Sequence, residues 1–166
     1  MFGTLLRMPT RRATRLPCHD YATPGAYFVT VCAARRGSVF GRLCGERVVL
    51  NALGSIVAAQ LTGVTDRLPG SWLDVWVVMP DHLHAVVILE GRHLRLGSVV
   101  GAVKSGAARE SRDYGRPSRL WQRGYYDHVI RDEADLERVR EYITTNPVRA
   151  SARAMAYTRD GMPNDA

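Results

Sequence analysis

Two short spacings hold the residues of this 166-residue chain that are best suited to chemistry. The first is His82-Leu83-His84. In a strand, side chains at i and i+2 point to the same face, so His82 and His84 stand side by side while Leu83 points away. Two imidazoles so placed can share one metal ion; ordinary polar decoration of a strand is the other reading. The second spacing is Tyr142 and Asn146, four residues apart and therefore neighbours on one helical face. They lie next to an apolar stripe of Leu136, Val139 and Ile143 that would dock a helix on a sheet. Such docking would hold the phenol and the amide near the sheet surface. A half-buried packing tyrosine and a helix-ending asparagine before Pro147 are the competing readings.

The elements that must position these groups can be read from residue type and period. The run from Ala26 to Ala34 is β-branched and aromatic and predicts a strand. From Glu46 to about Val64, apolar residues at Val49, Leu53, Ile56, Val57 and Leu61 approach a helical period. Trp72 to Met79 and His82 to Leu89 read as two strands joined at Pro80-Asp81, a spacing suited to a tight antiparallel hairpin. Residues from about Gly97 to Asp113 suggest a helix with Lys104, Arg109 and Arg112 on a basic face. After a polar loop containing Gly115 and Pro117, Tyr125 to Arg131 predicts a further strand. The last helix has Asp132 to cap its start and Pro147 to mark its stop. The order β-α-β-β-α-β-α gives an α+β sandwich around a central antiparallel sheet, ferredoxin-like or RRM-like. Its strands are apolar on both faces, so helices should cover both.

The length fits one domain, and 46% hydrophobic residues suffice for a core. A formal charge of +7 favours polyanionic partners, nucleic acid before an anionic membrane surface. Of the 23 basic residues only Lys104 is lysine; arginine grips phosphate and stacks on bases, although a coding bias would produce the same skew. Cys18, Cys32 and Cys44 are odd in number with no C-x-x-C pair, which argues against a disulfide framework or a cysteine zinc site. Neither an exported nor a membrane-spanning pattern is present, and a cytoplasmic protein is expected. Residues 1–25 read as a basic arm with Arg7, Arg11, Arg12 and Arg15 that ends at Pro24-Gly25, residues 26–150 as the domain, and 151–166 as a tail.

Three segments, VWVVMPDHLHAVVI, WQRGYYDHVIRDE and EYITTNPVRA, resemble consecutive signatures of the REP-associated tyrosine transposases. These are single-tyrosine nucleases with a His-hydrophobe-His motif, related to compact insertion-sequence transposases. The similarity runs from about Arg15 to Ala150 and includes RLPCHDYATPGAYFVTVCAARRGSVFG near the start. It implies the HUH endonuclease fold, with His82, His84 and Asn146 as ligands of a divalent metal, Mg²⁺ or Mn²⁺, and Tyr142 as nucleophile. It further implies cleavage and rejoining of single-stranded or hairpin DNA through a 5′-phosphotyrosine, by a monomer or a homodimer. Asp81 stands where relatives often have Asn, and Ser151 where many have Gly.

Further candidates are weaker. Lys104 is a candidate phosphate contact or a solvated helix-face lysine. Asp127 and His128 are possible accessory groups, and alternation puts them on opposite faces, so at most one can face the metal. For DNA contact the candidates are Arg11, Arg12 and Arg15 on the arm with Arg35, Arg36 and Arg123; Trp121, Tyr125 and Tyr126 are the candidate base-stacking aromatics. Two other readings remain: a noncatalytic nucleic-acid-binding module on the same sheet topology, and a zinc hydrolase using the histidine pair.

Overall fold

The computed structural model describes residues 23–91, 93–114 and 119–160; the arm with Arg11, Arg12 and Arg15 and the end of the tail lie outside them. Strand β1 (Gly25–Cys32) is followed by a small ribbon, β2 (Gly41–Cys44) and β3 (Arg47–Leu50). Helix α1 (Ala52–Thr62) and the single turn α2 (Val64–Arg67) lead to β4 (Ser71–Val78) and β5 (His82–Leu89). Helix α3 (Leu96–Glu110), β6 (Tyr126–Ile130) and the long α4 (Glu133–Asp160) complete the chain.

The main sheet has the order β4-β5-β1-β6, and every pair is antiparallel. This is the ferredoxin-like arrangement that the element order predicts, and both faces are closed, as the apolar residues on the two faces of the strands lead us to expect. Tyr27, Val29 and Val31 of β1 and Leu83, Ala85 and Val87 of β5 pack with α1 and α3 in the larger core. Phe28 of β1 and Val86 and Ile88 of β5 point the other way and meet Leu136, Val139 and Ile143 of α4. The stripe that the sequence singled out is therefore the seam that docks α4.

Two local expectations change. The segment read as helix from Glu46 begins as strand, because Gly45 turns the chain at φ 57 and pairs Arg47 with Cys44. Helix α1 starts only after Asn51, whose Oδ1 accepts from Gly54 N–H at 3.0 Å while its Nδ2 donates to the Val39 carbonyl at 3.0 Å. Pro147 does not stop the last helix; α4 continues to Asp160. An internal proline removes one backbone bond and costs about 3 kcal/mol. The continuation is held by tertiary docking on the β2–β3 ribbon, where buried Ser151 donates its hydroxyl to the Gly45 carbonyl. At the other end, Asp132 Oδ1 accepts from Asp135 N–H at 2.8 Å, the cap that its residue type predicts. Finally, β4 carries a bulge: Leu73 faces Val87 and Trp76 faces Ala85, so Asp74 and Val75 together oppose Val86.

The tight crossing of α1 over the residue before the ribbon is testable. A Cβ at Gly54 would stand 1.9 Å from the Phe40 carbonyl oxygen, whereas one at Gly101 in α3 meets nothing within 4 Å. Gly54→Ala is expected to lower stability by about 1–3 kcal/mol despite alanine's better helix propensity, and Gly101→Ala to raise it by up to about 1 kcal/mol. Urea unfolding of the two variants checks both signs, and a shared sign would contradict the packing described.

Candidate metal and nucleophile site

Strand β5 carries its two histidines on the face that α4 covers. Antiparallel register sets Thr30 opposite His84 and Cys32 opposite His82, and opposed residues share a face. Met79 N–H donates to the His82 carbonyl at 2.8 Å, which leaves Pro80 and Asp81 as a two-residue turn. The His82 and His84 rings lie 4.7 Å apart at 73°. His84, only 1% exposed, stacks on Phe28 at 5.4 Å and 28°. Tyr142 reaches in from α4 and meets His84 edge-on at 5.2 Å and Phe28 at 5.8 Å.

Both imidazoles are engaged through Nδ1: His84 with Thr30 Oγ1 at 2.8 Å, His82 with Asp81 Oδ1 at 2.7 Å. Nε2 is thereby left as the second nitrogen of each ring. Burial, with a smaller contribution from neighbouring His82, pushes the His84 pKa down to about 3, so the ring is the uncharged imidazole that a metal requires. The hydrogen bond with His82 holds the Asp81 carboxyl below the usual carboxylate range against the opposing effect of its own burial, and Arg36 adds to the lowering.

Among the described residues no three His, Cys, Asp or Glu side chains gather into a metal cage. A cation on the histidine pair would need a donor of another type, and the course of α4 bears on the expectation for Asn146. Arg140 grips Asp74 beside the bulge with bonds of 2.7 and 2.9 Å, Tyr142 lies on His84, and Ser151 reaches the ribbon. The ribbon begins just after Phe40, whose N–H donates to the Pro80 carbonyl at the turn next to His82. The helix thus runs toward the His82 end of β5. Four helical residues advance about 6 Å and two strand residues about 6.7 Å, so half-buried Asn146 follows Tyr142 along α4 as His82 lies beyond His84 along β5. Two imidazoles and an amide oxygen are a donor set that suits a divalent ion.

The remaining candidates separate. Asp127 pairs with Val29 and His128 with Phe28, so Asp127 belongs to the α1/α3 face and only His128 shares the face of Tyr142. His128 Nε2 is bonded to Asp135 Oδ2 at 2.7 Å at the start of α4, which ties strand to helix. Lys104 lies on α3, across the sheet from the histidines, and its ammonium donates to the Gln122 and Gly124 carbonyls at 2.9 and 2.8 Å. Trp121 is a core residue rather than a base-stacking one: it is 6% exposed, packs on Phe40 at 5.0 Å and donates to the Lys104 carbonyl. Tyr125 and Tyr126 are half-buried, and Tyr125 packs on the same core. Arg35, Arg36 and Arg123 are exposed. The loop of Arg123 is tied to the end of β1, with Gln122 N–H on the Cys32 carbonyl at 2.9 Å, so this basic rim borders the His82 end of the sheet. Thr30 was not singled out in the sequence; its one signal is a hydroxyl within an otherwise apolar strand.

The chain is 31% identical to an uncharacterized protein of Haemophilus influenzae over 159 residues, covering 83% of this chain and 88% of that one. A second Haemophilus influenzae protein, provisionally described as a REP-associated tyrosine transposase, is 29% identical over 82 residues, 43% of this chain and 47% of that one. A solved structure of a REP-associated tyrosine transposase bound to a REP hairpin shares the fold, with a TM-score of 0.63 at 22% identity over 86% of this chain and 74% of that chain. No family model matches. Among the described residues no helix is long and apolar enough to cross a membrane.

The burial of His84 has a pH signature. The unfolded chain takes up a proton on this residue near pH 6.5, whereas the folded chain does so only near 3. Between those values the unfolded state holds the extra proton, so stability is fully present above about 6.5 and falls as pH drops toward 3. In chelator-treated protein, the urea midpoint should fall across this window more steeply than in His84→Gln. Equal slopes would show that His84 is not a buried neutral ring.

Proposed function

We propose that this chain, which belongs to one family with its near-full-length Haemophilus influenzae relative and resembles the REP-associated tyrosine transposases, cuts and rejoins single-stranded DNA through Tyr142. The observation that carries the reading is the seating of the Tyr142 ring against His84, on the face where His82 also stands. His82, His84 and Asn146 would hold the divalent ion, Mg²⁺ or Mn²⁺. When bound, the ion supplies Lewis-acid polarisation of the phosphate and of the departing oxygen.

The protein's own residues do the rest. The Tyr142 oxygen gives up its proton to solvent water and attacks phosphorus in line; the bond from phosphorus to the 3′ oxygen breaks, and that oxygen leaves with its electron pair and takes a proton from solvent water. The products are a 5′-phosphotyrosine and a free 3′-hydroxyl, and the reverse attack by the hydroxyl reseals the strand without an external energy source. Phe28 and α4 limit the phenol's freedom before attack, which lowers the entropic part of the barrier. The basic rim of Arg35, Arg36 and Arg123 would follow the phosphate backbone, with Lys104 steadying the adjoining loop. A solved relative is bound to a REP hairpin, and the proposal extends a hairpin-bearing single strand to this chain as substrate. With such a substrate the protein would work beside the DNA in a prokaryotic cytoplasm.

The test is a labelled hairpin oligonucleotide incubated with the protein and Mg²⁺ or Mn²⁺. A denaturant-resistant protein–DNA adduct is expected for the native chain and none for Tyr142→Phe, while hairpin affinity changes less than about threefold. Cleavage by Tyr142→Phe would support instead a hydrolase using metal-bound water. Hairpin binding without any adduct would support a noncatalytic binding module.

A further inference from the structure

The two histidines differ in burial, in strand neighbours and in backbone context, yet they share one feature. Each is met at Nδ1 by a side-chain oxygen, His84 by Thr30 from the neighbouring strand and His82 by Asp81, the residue before it. We propose that Thr30 and Asp81 are a pair of positioning residues that hold His84 and His82 in the same tautomer, with the proton on Nδ1 and Nε2 bare for the divalent ion. The inference rests on the metal-binding reading of His82 and His84 and specifies which atoms of those residues carry it.

A neutral imidazole has one protonated and one bare nitrogen, and only the bare one can ligate. An ionised carboxylate accepts hydrogen bonds and cannot donate, so Asp81 Oδ1 at 2.7 Å places the proton of neutral His82 on Nδ1. A hydroxyl can take either role. Thr30 Oγ1, at 2.8 Å, leaves Nε2 of His84 bare when it accepts from Nδ1–H and blocks that nitrogen when it donates. Thr30 is 4% exposed and lies opposite His84 in the central pairing of the sheet, so the contact is set by β-register and not by a mobile loop. Ring rotation is also restrained, since His84 lies between Phe28, His82 and Tyr142. Outer partners of this kind typically change metal affinity by about 10- to 100-fold when removed. Nothing else in the interior of β1 calls for a hydroxyl: its neighbours on this face, Ala26 and Phe28, pack against the apolar residues of α4.

Imidazole ¹⁵N chemical shifts of the full-length, chelator-treated chain at neutral pH read the tautomers directly, and Mn²⁺ titration reads their consequence. The expected result is an Nδ1–H tautomer at both His82 and His84 in the native chain. Thr30→Val should move His84 toward Nε2–H and weaken Mn²⁺ binding about 10-fold or more, and Thr30→Ser should restore both. At the other partner, Asp81→Asn can keep an acceptor at His82 and should lose less affinity than Asp81→Ala. An Nε2–H tautomer at His84 in the native chain overturns the inference, as does native affinity in folded Thr30→Val. If Thr30→Val does not fold, the native and Thr30→Ser spectra still decide. Failure of the metal-binding reading looks different: Mn²⁺ binding absent, or unchanged in His82→Ala, with the native tautomers as assigned.

Discussion

The burial of β5 on both faces is the constraint from which the rest follows. Alternation sends Leu83, Ala85, Val87 and Leu89 into the larger core and His82, His84, Val86 and Ile88 to the opposite face. A histidine at 1% exposure has no water to satisfy its ring nitrogens. The second face therefore needs a cover that is apolar enough to pack and polar enough not to strand the imidazoles. Helix α4 answers with Leu136, Val139 and Ile143 along its seam and Tyr142 at its margin. Thr30 supplies the polar contact from within the sheet. A one-residue slip between β1 and β5 would exchange the faces, setting leucine under the helix and histidine in the core.

What the sequence makes legible follows how local each cause is. Alternation and helical periodicity are local, so the strands around Pro80-Asp81, the α3 segment and the docking stripe of α4 were readable. Periodicity alone could not separate ribbon from helix at Arg47–Leu50, where the deciding facts are the turn at Gly45 and pairing with Gly41–Cys44. Pro147 misleads for the same reason: its local penalty is real, but the contact of Ser151 with Gly45 spans more than a hundred residues. The aromatic at 121 suited base stacking by type, and only tertiary structure shows it packed on Phe40.

At the candidate site, the spacing of His82 with His84 and of Tyr142 with Asn146 predicted two pairs of neighbours. Bringing one pair to the other depends on sheet order and on the direction of α4, neither of which has a local signature. Thr30 was illegible because its role depends on register, which pairs it with a residue 54 positions away. Asp81 was visible only as a departure from the usual asparagine, with no hint that it meets a ring nitrogen.

The bulge in β4 bears on how copies of this protein behave together. β4 is an edge of the sheet, and a long regular edge offers open backbone groups to any other strand in solution. Doubling Asp74 and Val75 against Val86 breaks that regularity midway. Asp74, kept ionised by its hydrogen bond to Arg140, sets a fixed charge at the break. The irregularity that lets the helix be clamped is thus also a guard against fibre-like stacking, and a smoother β4 would trade colloidal solubility for pairing between molecules.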